Sequence, residues 1–167
     1  GWAAAEDEDE AEGFAESFWQ LLEDWRKHNP PNSGVNWRCG QECSFRLFAL
    51  IWAAATFADA TATSADRVRR LWETVTALAS RIDRAMAHAL SQNNNHGLSE
   101  ATALHLAGTC LPGHPLAGQW CQKGRRLFER QVGEQFKPDG SYAQNSTNYM
   151  RVALRDGLIF LGAVAFE

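Results

Sequence analysis

Two short stretches of this chain concentrate side chains able to bind anions and move protons. The first is Asn93-Asn94-Asn95-His96-Gly97-Leu98-Ser99-Glu100; the second is Asp139-Gly140-Ser141-Tyr142, running on through Gln144, Ser146 and Tyr149. Carboxamides donate hydrogen bonds to carboxylates and to negative charge that develops during a reaction. Imidazole and phenol groups carry protons. Asparagine and serine also suit turns and helix N-caps, so a loop with one asparagine capping a helix is the competing reading of the first stretch. Glu100 fits either a capping carboxylate or a group that orients His96. Trp37 has the flat face that stacks on a pyranose ring or, as readily, fills a core, and Tyr142 lines the same cleft as Tyr149 or packs beneath it. Arg151, just beyond Tyr149, offers a cation to an anionic ligand or belongs to a solvated helical face. The remaining histidines (His28, His88, His105 and His114) are scattered and read as surface or satisfied core residues.

The elements that must position these groups are helices. Phe14, Phe18, Leu21, Leu22 and Trp25 repeat at helical spacing until Pro30-Pro31. A second helix is expected from about Arg38 to Ala60, and a third after an N-cap at Ser64, with the apolar set Val68, Leu71, Trp72, Val75, Leu78, Ile82, Ala85, Met86 and Ala89. A shorter fourth helix is expected from Leu98 to Ala107, closed by Gly108. A fifth carries Trp120 to Phe136, and a sixth begins after a cap at Ser146. The chain is therefore expected to be all-α, built of consecutive αα-hairpins. The polar loops before helices two, four and six leave alternate hairpins at the same end, so they should gather on one face.

Composition narrows the function classes. At 167 residues with 45% hydrophobic content, the chain fits one helical domain with a sizeable core. A net charge of −4 gives no broad basic surface for nucleic acid. The acidic residues from Glu6 to Glu12 favour a helix start or a solvated terminus. Cys39, Cys43, Cys110 and Cys121 are too dispersed for a disulfide scaffold or a zinc site and read as small core residues. No apolar run reaches the ~20 residues of a membrane span, and no metal or other cofactor is called for.

Asn94-Asn95-His96 followed by Glu100-Ala101 resembles the Asn-Asn-His…Glu-Ala segment of the heparinase II/III-like polysaccharide lyases. Asp139-Gly140 with Gln144, Ser146 and Tyr149 is similar to their Asp-Gly…Glu-Gln-Ser…Tyr-His segment. Asn29-Pro30, Gly34, Asn36-Trp37, Glu42 and Arg46 are similar to an upstream Asn-Pro…Gly-Asn-Trp…Glu…Arg pattern. The resemblance implies part of an incomplete (α/α) toroid and β-elimination at a uronic acid of an acidic polysaccharide such as heparan sulfate or alginate. It implies Asn95, His96 and Tyr149 as catalytic residues, with Asn94, Asn36, Trp37, Glu100, Gln144 and Arg151 binding substrate. It also implies a periplasmic or secreted location, and a C-terminal region of the same chain whose β-sandwich supplies a further histidine.

Two positions depart from the pattern: Met150 follows Tyr149 where the family has histidine, and Ala143 stands where an acid is common. They leave open a non-catalytic protein that binds acidic glycans or assembles surface polysaccharide on a lyase-like scaffold. A hairpin-array protein-interaction domain that binds no sugar is a weaker option. The chain starts at Gly1 and stops at Glu167 behind the apolar run Leu158 to Phe166. The expectation is therefore a piece of a longer protein that, alone, is inactive and self-associates.

Overall fold

The computed structural model describes residues 7–165. Among these, six α-helices carry the fold: α1 (Glu8–His28), α2 (Gly40–Thr56), α3 (Ala65–Ser91), α4 (Asn95–Cys110), α5 (Ala117–Gln135) and α6 (Thr147–Val164), with a 3₁₀ turn at Val35–Trp37. The expected all-α array of hairpins is what forms.

Local chemistry sets most boundaries. Asp7 caps α1 by accepting from Glu10 N at 2.8 Å, so the acidic run starts a helix; Glu6 lies outside the described residues. Ser64 and Ser146 cap α3 and α6 through their hydroxyls, as their positions before apolar repeats suggest. α3 is the longest helix, and Leu71, Val75, Leu78, Ile82, Met86 and Ala89 form its buried stripe.

α4 departs from expectation at both ends. It begins at Asn95 because Asn94 is the cap, and it runs through Gly108 to Cys110. Gly108 does not close the helix. A Cβ there would lie 2.4 Å from Cys121 N and 2.5 Å from Ala117 O. Gly124 of α5 answers it: a Cβ there would lie 2.4 Å from His105 N and 2.6 Å from Ala101 O. The two glycines let the α4 and α5 backbones touch, a packing role that reads in sequence like a stop signal.

Helices α2, α4 and α6 lie side by side and parallel, with α4 between the other two. α3 packs against α2 and α4, and α5 against α4. α1 is held to α3 by Arg67, which reaches Glu16 and Glu23, and by Arg26, which reaches Arg70 and Thr74. With neighbours all round, α4 is buried on nearly every face. Near the far ends of α2, α4 and α6, Phe48, Ile51, Trp52, Leu106 and Leu158 line an open apolar groove of about 630 Å³. Among the described residues no helix is long and apolar enough to cross a membrane.

Candidate active site

The starts of α2 and α4 meet, and the segment just before α6 joins them, as the alternation of loops requires. Gln41 of α2 donates to Ser99 Oγ at 3.1 Å, and Ser99 donates to Asp156 Oδ2, midway along α6, at 2.5 Å. Gln144, just before α6, accepts from Asn95 N at 3.2 Å. The polar residues singled out around α4 therefore share one end of the bundle.

The α4 start is built tightly. Asn93 takes φ 46°, a left-handed conformation that asparagine tolerates, and the chain turns from α3 into α4 in three residues, Gln92 to Asn94. Asn94 Oδ1 accepts from His96 N at 2.9 Å, and Asn94 O accepts from Gly97 N at 3.2 Å. With Gln144 taking Asn95 N, the N–H groups of Asn95, His96 and Gly97 each have an acceptor within the protein. These three are not free for an anion, which favours recognition by side chains. Asn95 is only 3% exposed. His96 is half-buried; burial, then the neighbouring His88 charge, lowers its pKa and favours the neutral imidazole.

Behind this turn runs a chain of amides and a phenol, in which the sequence points to Tyr142 and Gln144 but not to Gln131 and Gln135. Gln135 Nε2 donates to Asn94 O at 2.9 Å and to Gln131 Oε1 at 2.8 Å, while its Oε1 accepts from Tyr142 OH at 2.9 Å. Tyr142 OH also lies 3.1 Å from Gln144 Oε1. Tyr142 is buried under α4, not in a cleft beside Tyr149. Burial and then Asp156 push its pKa up to about 12, so it stays a neutral donor. Asp139-Gly140 delivers it there. Pro138 and Asp139 form a turn closed by Gly140 N to Lys137 O at 2.9 Å, and Gly140 at φ 82° lets Tyr142 pair back on Phe136. Gln131 and Gln135 sit on the buried side of α5, and buried glutamines at helical spacing were the available signal.

Several expected ligands are turned inward. Trp37 is buried, its Nε1 donates to Asn29 O at 3.1 Å, and its ring packs on Trp25. Asn36 is tied to Asn29 Oδ1 at 2.5 Å, and its carbonyl accepts from Arg46 at 2.7 Å. Asn94 uses its side-chain oxygen as the cap. Glu100 neither caps α4 nor reaches His96. Its carboxyl lies over Gly40 of α2, where a Cβ would come within 2.3 Å of it, and Oε2 has no hydrogen-bond partner. Burial raises its pKa to about 8, against the pull of Arg81, so it is largely protonated at neutral pH.

Tyr149 and Arg151 stand on the exposed opening of α6, Tyr149 at 48% exposure. Met150, in the place of a histidine, packs partly against the core. His105 is a core residue tilted against Phe160, and half-buried His114 stacks on Trp120. Among the described residues no disulfide forms: Cys43 is buried and Cys39, Cys110 and Cys121 are half-buried. Among the described residues no group of three His, Cys, Asp or Glu side chains converges as metal ligands would.

The molecule is thus an array of αα-hairpins on an all-α scaffold, with amide and imidazole groups gathered where α4 begins. Residues 2–165 match the family model described as Heparinase II/III N-terminus, and the chain belongs to that family. Comparison with curated proteins and with solved structures gives no match.

Proposed function

We propose that the protein containing this chain is a polysaccharide lyase that cleaves uronic-acid-containing polysaccharide by β-elimination. The observation that carries this reading is the pairing of buried Asn95 with half-buried, neutral-leaning His96 at the start of α4, in a chain of this family. The C5 proton of a uronate is weakly acidic because the adjacent carboxylate is already negative. Its removal requires donors aimed at the charge that develops on that carboxylate, and the Asn95 carboxamide supplies them. A neutral His96 accepts a proton or a hydrogen bond from the sugar. Tyr149, exposed and on the same end of the bundle, protonates the departing glycosidic oxygen, and Arg151 draws the polyanion in. The test is ultraviolet absorbance of unsaturated uronate product, using the full-length protein on heparan sulfate, alginate and related polyanions. Absence of that product across the panel removes the lyase reading.

One observation favours a second reading, a non-catalytic binder of acidic glycans. Met150 replaces a proton-carrying side chain with an apolar one packed on the core. Tyr149→Phe separates the two: a lyase loses turnover and keeps affinity, whereas a binder retains affinity and has no turnover to lose.

A further inference from the structure

The groups proposed to meet substrate at the start of α4 do not hold themselves in place. The turn that presents Asn95 and His96 is short, and its backbone is gripped at two points from outside the helix. Asn94 O is held by Gln135 Nε2 and Asn95 N by Gln144 Oε1, at 2.9 and 3.2 Å. Tyr142 OH lies within hydrogen-bond distance of both glutamine oxygens, 2.9 Å from one and 3.1 Å from the other.

The orientation of this set is fixed by the backbone it touches. Gln135 Nε2 faces two oxygens, Asn94 O and Gln131 Oε1, so its amide cannot be turned round without opposing oxygen to oxygen. Its Oε1 must then face the Tyr142 hydroxyl, which donates. Gln144 must likewise offer oxygen to the Asn95 N–H. Gln131 Oε1 also stands where a Cβ on residue 97 would come, 2.5 Å away, so Gly97 leaves open the space that the Gln131 amide occupies. Gln131, Gln135 and Tyr142 are all buried, where an unmade hydrogen bond is expensive and a complete network is rigid.

We propose that Tyr142, Gln135 and Gln144 are positioning residues for the active site. They form a clamp from α5 and the α5–α6 loop that sets the register of Asn95 and His96 without touching substrate. The inference rests on the lyase reading for its kinetic consequence but not for its structural one. It also gives the loop between α5 and α6 two duties: its first half clamps α4, and its second half delivers Tyr149. The two proposed reacting ends would thereby be fixed relative to each other through one short segment, the condition for productive alignment.

The experiment uses the full-length protein labelled with ¹⁵N-asparagine, the Asn95 amide being assigned by its loss in Asn95→Asp. Gln144→Met removes the acceptor, Gln144→Glu keeps one, and Tyr142→Phe removes only the hydroxyl. In Gln144→Met we expect the Asn95 N–H to exchange with solvent at least about tenfold faster, while core amides of α3 are unchanged. On a cleaved polyanion, kcat should fall on the order of tenfold or more with KM little altered, and Gln144→Glu should recover most of it. Tyr142→Phe should show the same split more weakly. If Asn95 exchange in Gln144→Met and Tyr142→Phe changes only in step with the α3 amides, or not at all, the clamp is mere packing and the inference fails. If no polyanion is cleaved by the wild-type protein, the lyase reading fails, and the exchange rates alone decide the clamp.

Discussion

The start of α4 and the start of α6 are written in the same chemical language and end in opposite environments. Each opens with a polar loop, and each is capped by a side-chain oxygen two or three residues before the N–H it accepts, Asn94 to His96 and Ser146 to Tyr149. Yet Asn95 is buried and Tyr149 is half exposed. The difference lies in what surrounds the helix. α4 has α2, α3, α5 and α6 against it, whereas among the described residues α6 packs chiefly on α4. Leu154, Leu158 and Leu161 on its outer side are exposed, while its inner side buries Phe160 and Ala163, so the second half of α6 is apolar on both faces and covered on only one; Phe166 lies outside the described residues. A rigid floor at α4 and an open wall at α6 suit a site in which one group must be fixed and another must meet solvent and a long polymer.

The largest expected effect breaks the floor chemically. Asn95→Ala in the full-length protein should reduce turnover by about 10²–10³-fold, with the fold intact by circular dichroism. Unchanged turnover would place the charge-stabilising donor elsewhere.

Next comes the packing of α4. Gly124→Ala puts a methyl group against backbone atoms of His105 and Ala101, which cannot swing aside, so the loss should be about 3 kcal/mol in urea titration. Gly162→Ala on α6, where a Cβ meets nothing within 4 Å, is the matched control and should be neutral or slightly stabilising.

A pH test sharpens the same contrast. Glu100 has a folded pKa near 8 against an ordinary value of 4.5, so above 4.5 the unfolded chain releases a proton that the folded one keeps. Stability should therefore fall as pH rises from about 4.5 to 8 and level off beyond, by on the order of a few kcal/mol. Asp156, also raised by burial, adds to the decline in the same direction. Glu100→Gln should flatten most of that slope in thermal melts at a series of pH values. An unchanged slope would mean that Glu100 is ionised and partnered.

The smallest effects compare the two caps. Asn94→Ala and Ser146→Ala should each lose about 1 kcal/mol, with Asn94→Ala the larger because its turn is also gripped by Gln135. Tyr149→Phe should leave the melting temperature almost unchanged, as expected of an exposed side chain.

The helices and their order were legible in the sequence because each is announced locally. Ser64 and Ser146 precede apolar repeats, Pro30 and Pro138 follow them, and the α3 stripe repeats at 3.6-residue spacing. The gathering of the polar loops at one end also followed from alternation alone. What the sequence could not settle was direction. Trp37 looks like a ligand until the 3₁₀ turn buries it, Asn36 until Asn29 takes its amide, and Gly108 looks like a helix stop until α5 is laid against it. Glu100 looks like a cap until α2 approaches, and only then is its carboxyl trapped over Gly40. The Gln131–Gln135–Tyr142 chain forms only where α5 and the loop after it meet the start of α4, and the helical spacing of the two glutamines is its one trace in the sequence. Propensity and capping act within a few residues and can be read along the chain. Burial, hydrogen-bond partnering and the pKa shifts that follow depend on which surfaces pack together, and only the tertiary structure decides that.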